Sequence, residues 1–64
     1  MNKYQIKILA QFKPHEYYNY QGIFKLLRIN VYSQTTYKYR RAWLDLIAMG
    51  KLHEGIGEMY RLNQ

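Results

Sequence analysis

Sixty-four residues without a cysteine form one domain, whose core takes no support from disulfides or thiolate metal sites. A chain this short buries only roughly 60% of its unfolded surface, so a compact helical core, self-association or both must stabilise it. The net charge of +6, with a pI near 9.7, favours polyanionic partners, and no apolar run approaches the ~20 residues of a membrane span.

The charge is uneven. Residues 1–41 carry eight Lys/Arg against one acid, Glu16, whereas 42–64 carry two against three, Asp45, Glu54 and Glu58, a balance of +7 against −1. Nucleic acid is the commonest polyanion for such a surface, and a solvated face that keeps a small protein dispersed is the alternative. Ile8-Leu9-Ala10 is too short for the apolar region of a signal peptide. The chain therefore reads as soluble and cytoplasmic, nucleoid-associated if bacterial, archaeal or viral.

The first element spans Lys3 to Phe12. Met1, Tyr4, Ile8 and Phe12 fall on one side of a helix, with Leu9 near it. Tyr4, Ile6 and Ile8 also alternate with Lys3, Gln5 and Lys7, which is a strand period. Helix is favoured because Ala10 and Gln11 continue it and Pro14 stops it. A connector follows from Lys13 to Asn19, in which Tyr17 and Tyr18 can add a short strand. Asn19 is the expected N-cap of a second helix, from about Tyr20 to Arg28, with Ile23, Phe24, Leu26 and Leu27 as its apolar positions. Gly22 within it costs up to ~1 kcal/mol relative to alanine and suggests the close approach of another helix.

A short turn is expected over 29–32, and then a long helix over Gln34–Met49. Ser33 is its expected N-cap, with Thr35 and Thr36 close behind, and Gly50 supplies the left-handed residue that ends it. Tyr39, Trp43, Leu46 and Ile47 mark its core face, and Gln34, Lys38, Arg41 and Asp45 the opposite one. Leu52 and Glu54, then Met59 to Leu62, flank Gly55-Ile56-Gly57 and read as a β-hairpin that must pack on the helices. Glu54 and Glu58 are expected to face each other across it as an exposed pair.

Three stretches carry a resemblance. Leu46-Ile-Ala-Met-Gly50-Lys-Leu52 puts an apolar pair before a glycine and a strand; Ile8-Leu9-Ala-Gln-Phe12 forms an apolar first helix; Ser33-Gln-Thr-Thr36 is a polar helix start. Taken in chain order they resemble the winged helix-turn-helix superfamily, over residues 20–62 and the first helix. The resemblance implies a mainly α fold with a small β-hairpin, a three-helix winged helix-turn-helix. It also implies DNA binding, as in most members, or protein–protein contact, as in a minority. Three features depart from the common pattern. The wing tip Gly55-Ile56-Gly57 has no Arg or Lys and is flanked by Glu54 and Glu58. The Ser/Thr cluster stands further ahead of Gly50, and there are eight tyrosines.

The expected interface is the N-terminal half of the long helix. Free N–H groups and the dipole at a helix start attract phosphate. Ser33, Thr35 and Thr36 add hydroxyl donors. Gln34 suits an adenine edge, and Lys38 or Arg41 a guanine edge. Arg40 is expected on phosphate, and Tyr37 on the backbone or a thymine methyl. Lys25, Arg28 and Lys51 are supporting phosphate contacts, with Lys3 and Lys7 adding general attraction. Tyr17, Tyr18, Tyr20 and Ile56 are candidate dimer contacts, and the tyrosines alternatively suit stacking on single-stranded bases or RNA. His15 and His53 lack metal spacing, the acids are few, and there is no Gly-rich phosphate loop, so neither an enzyme nor a cofactor is expected. The reading is a small regulator that binds duplex DNA as a dimer or array, without membrane or small-molecule effector. A protein-interaction module on the same scaffold is the alternative.

Overall fold

The computed structural model describes residues 1–30 and 32–63. Val31, inside the turn expected over 29–32, and Gln64 lie outside the described residues. Helices α1 (Lys3–Ala10), α2 (Tyr20–Leu27) and α3 (Thr36–Ala48) are followed by strands β1 (Leu52–Glu54) and β2 (Tyr60–Leu62), a three-helix winged helix-turn-helix layout. The strands pair antiparallel, Leu52 opposite Leu62 and Glu54 opposite Tyr60. Tyr18 bridges the free edge of β2: its N–H donates to the Tyr60 carbonyl at 2.7 Å and its carbonyl accepts in return at 2.8 Å. The short strand expected at Tyr17-Tyr18 is thus a single bridge.

A capping box starts α1. The Gln5 N–H donates to Asn2 Oδ1 at 2.9 Å, and the Asn2 N–H to Gln5 Oε1 at 2.8 Å. The strand alternative for this segment fails because Ile6 is 54% exposed while Ile8 is fully buried, and alternation would give both the same side. The helix ends two residues before the expected Phe12. The N–H groups of Gln11 and Phe12 bond to Ile8 and Leu9, a tightened last turn that keeps Phe12 in the core.

Asn19 caps α2 as expected, accepting from the Gly22 N–H. The expected close helix approach at Gly22 is not found. A Cβ there would meet only the cap itself, Asn19 Oδ1, at 2.9 Å. The helix closes on Arg28, which takes a left-handed conformation at φ 56°. This lets the Ile29 N–H reach back to the Phe24 carbonyl.

Helix α3 begins at Thr36, two residues after the expected start; the cap position falls on Thr35, not Ser33, and without a side-chain cap bond. Asn30, Ser33, Thr35 and Thr36 bond locally instead. Ser33 Oγ accepts from the Thr35 N–H and shares a hydrogen with Thr35 Oγ1, Asn30 Oδ1 accepts from the Tyr32 N–H, and the Thr36 hydroxyl donates to the Asn30 carbonyl. Such local bonds compete with helical ones. The far end follows expectation. Gly50 at φ 74° allows the Lys51 N–H to bond to the Leu46 carbonyl.

The core comprises Ile8, Phe12, Ile23, Phe24, Tyr39, Ala42, Trp43, Leu46 and Leu52. Trp43 is its aromatic centre. Phe12 stacks on it at 6.0 Å, while Tyr20 and Tyr60 meet it edge-on at 5.8 and 5.4 Å. Tyr18 packs edge-on against Phe12. The Tyr17 ring lies on Gly55, where any side chain would collide with it, and its hydroxyl accepts from Arg61 Nε at 3.2 Å. The connector tyrosines set apart as dimer contacts therefore pack within the chain, with Tyr17 still partly open.

Candidate nucleic-acid interface

A helix turns about 100° per residue, so its buried positions define its outer face. In α3 these are Tyr39, Ala42, Trp43 and Leu46. The face opposite them holds Tyr37, Arg41, Leu44 and Ala48. This corrects the expected outer face of Gln34, Lys38, Arg41 and Asp45 by a rotation of about 60°. The cause is Ala42, which is buried while the larger Ile47 is only half-buried. Gln34 precedes the helix. Asp45 is half-buried at its side and accepts from Arg41 Nε at 3.3 Å.

The three cations of α3 consequently point in three directions. Arg41 lies near the centre of the outer face. Lys38 leans toward α1, its Nζ 5.8 Å from the centre of the Tyr4 ring. Arg40 leans toward the start of α2 and the hairpin, where it lines a groove with Tyr20 and Gln21. Tyr37 is 66% exposed and Leu44 53%.

The hydroxyls expected as phosphate donors are largely engaged. Ser33 and Thr36 are half-buried, and their hydroxyls are bonded, to the Thr35 hydroxyl and the Asn30 carbonyl respectively. The N–H groups of Thr35 and Thr36 bond to Ser33, and that of Lys38 to Thr35. Among the described residues, the Tyr37 N–H is the one donor in the first turn of α3 without an acceptor in the chain. The helix start therefore offers less to an anion than its residue types promise, and the exposed side chains offer more. Lys25 and Arg28 are exposed at the end of α2, where the chain turns into α3. Lys51 lies beyond the opposite end of α3, about 20 Å from its start by helix rise. The fold does not gather Lys51 with the other site residues.

Two grooves flank the outer face of α3, and they differ in charge. The hairpin-side groove, about 680 Å³, is floored by Trp43 and bounded by Tyr20, Tyr60, Glu54, Glu58 and Arg40. Glu54 and Glu58 do not face each other across the strands as expected, because the register puts Tyr60 opposite Glu54 and Glu58 lies in the turn. The Tyr60 hydroxyl donates to Glu54 at 3.3 Å. Burial first, then the charge of Glu54, raises the Tyr60 pKa above its ordinary 10.0. Burial raises that of Tyr20 too, against the opposing pull of Arg40.

The α1-side groove, about 480 Å³, is lined by Asn2, Tyr4, Tyr37, Lys38, Arg40 and Arg41, with Ala42 and Leu44. It has three cations and no acid in its lining. Lys3, at the start of α1, brings its Nζ to 5.3 Å from the Tyr4 ring centre, so Lys3 and Lys38 share one aromatic ring. Lys3 was expected only as general attraction, and Tyr4 on the apolar side of the first helix. Nothing in the spacing of residues so distant along the chain points to their pairing. Among the described residues, no three His, Asp or Glu side chains converge as a metal site would require, and no helix is long and apolar enough to cross a membrane. No family model, curated protein or solved structure matches the chain.

Proposed function

We propose that this protein binds double-stranded DNA with the outer face of α3 in the major groove and acts as a transcriptional regulator. One observation carries the reading: Lys38, Arg40 and Arg41 fan out from the exposed side of α3 in a helix-turn-helix layout, on a chain of net charge +6. Arg41, near the centre of that face, suits bidentate contact with a guanine edge, and Arg40 and Lys38 reach phosphates on either side. A single α3 spans a short site, so binding as a dimer or along repeated sites follows from the reading, as does action in the compartment that holds the DNA.

The test is fluorescence anisotropy with duplex DNA, single-stranded DNA and RNA over a salt series. Duplex is expected to bind best, with affinity falling steeply as salt rises because counterions are released. Lys38→Ala with Arg41→Ala should weaken binding and reduce the salt slope by about two. Absence of duplex binding at low salt sinks the proposal. A protein-interaction module is a second reading, favoured by the exposure of Tyr37 and Leu44 on the outer face. A complex with another protein that is insensitive to salt would select it.

A further inference from the structure

We infer that duplex DNA lies across α1 and α3, with a backbone phosphate held between Lys3 and Lys38, and that the hairpin is turned away from it. The inference rests on the DNA-binding reading and adds the orientation. The two grooves beside α3 share Arg40 and Leu44, so their remaining walls decide which one a polyanion enters. On the hairpin side those walls supply Glu54 and Glu58, and Arg40 is the single cation set against them. A phosphate there would meet two carboxylates as it left water. On the α1 side the lining has Lys38, Arg40 and Arg41 and no acid. The nearby Asp45 is already paired with Arg41.

The Tyr4 ring adds geometry to this charge difference. It is a fixed platform, edge-on to buried Tyr39 at 5.0 Å, and Lys3 and Lys38 both lie over it at 5.3 and 5.8 Å. Both ammonium groups are drawn to this ring, so their positive charges add on the α1 side of α3. A backbone phosphate that approaches this ring is attracted by both. The contact is sequence-independent and fixes the angle at which α3 enters the groove. The hairpin tip, with Ile56 95% exposed and no cation among residues 54–60, then faces solvent.

The chain has no cysteine, so one introduced thiol can carry a tethered iron–EDTA reagent that cleaves nearby DNA. The positions are Lys7→Cys, one turn from Lys3 on α1, and Ile56→Cys at the hairpin tip, each in the full chain. Duplex bound by both proteins should be cut from position 7 and not from position 56. Separately, Lys3→Gln with Lys38→Gln should weaken duplex binding about tenfold and flatten the salt slope, with the circular-dichroism melting curve unchanged. Cutting from position 56 overturns the orientation and leaves DNA binding intact, as does an unaltered affinity in the double lysine variant. If the unmodified protein binds no duplex at low salt, the DNA-binding reading fails and the orientation with it.

Discussion

The two grooves along α3 share residues of one helix yet offer opposite surroundings. On one side the start of α1 contributes an amide, a tyrosine and a lysine, and the groove has no acid in its lining. On the other, the hairpin folds two carboxylates toward the same helix, and Tyr20 of α2 and Tyr60 of β2 pack on Trp43. The difference shows how a small fold separates its tasks. The hairpin side is heavily committed to stability, with Tyr20 and Tyr60 wrapped on Trp43 and Tyr18 tied to the edge of β2. The α1 side keeps its charges in solvent, where they are available to a partner.

The largest effect that would test this division is on the hairpin side. Trp43→Ala removes the floor of that groove and the partner of three aromatic rings. Large-to-small changes of this kind cost about 3–5 kcal/mol, against a stability of roughly 3–10 kcal/mol for a chain of this length. The variant is expected to be largely unfolded at 25 °C by circular dichroism. A folded Trp43→Ala would show that the hairpin side is not the structural half. Next in size, Lys38→Ala, Arg40→Ala and Arg41→Ala together should lower duplex affinity about a hundredfold at moderate salt while leaving the melting temperature nearly unchanged, since all three side chains are exposed. Equal losses of affinity and stability would mean that the two sides are not separable.

Alkaline titration gives a smaller effect, confined to the hairpin side. Tyr20 and Tyr60 keep their protons above the ordinary value of 10.0 because burial disfavours the phenolate. The unfolded chain ionises first, so the stabilisation from these groups is complete below pH 10 and is lost as pH rises through and beyond that value. The melting temperature should therefore fall above about pH 10, and absorbance at 295 nm should show a fraction of the tyrosines ionising late. Tyr18 belongs with them, raised chiefly by donating its hydroxyl to Glu16. The smallest expected effect is that of Glu54→Gln with Glu58→Gln. If DNA keeps to the α1 side, affinity should rise by no more than about threefold at physiological salt, through long-range charge alone. A rise well beyond tenfold would place the DNA against the hairpin.

Much of this architecture was legible in local sequence signals. Asn19 as a cap, Gly50 as a helix stop, the apolar period of Tyr39, Trp43 and Leu46, and the strands flanking Gly55-Ile56-Gly57 all hold, because caps, stops and helical period depend on neighbours within about four residues. Even locally there was competition. The run Ser33-Gln-Thr-Thr36 has the residue types of a helix start, but the Asn30, Ser33 and Thr36 side chains bond to nearby backbone, and α3 begins later. The Asn2–Gln5 capping box is equally local, an Asn three residues ahead of a Gln at the start of α1.

What the sequence determined by itself was the list of elements, their order, the aromatic helix at the centre and an excess of positive charge in the first two thirds of the chain. Tertiary structure decided how that charge is distributed. Burial of Ala42 rotates the outer face of α3 so that Arg41 and Leu44 lead it and Lys38 and Arg40 fall to opposite edges. Packing of α1 brings Lys3 and Lys38 to one tyrosine, and the hairpin brings Glu54 and Glu58 to the other side. The physical reason is one of range. Backbone hydrogen bonding settles an element from residues close in the chain, whereas the field around a helix is the sum of charges from whichever elements fold against it.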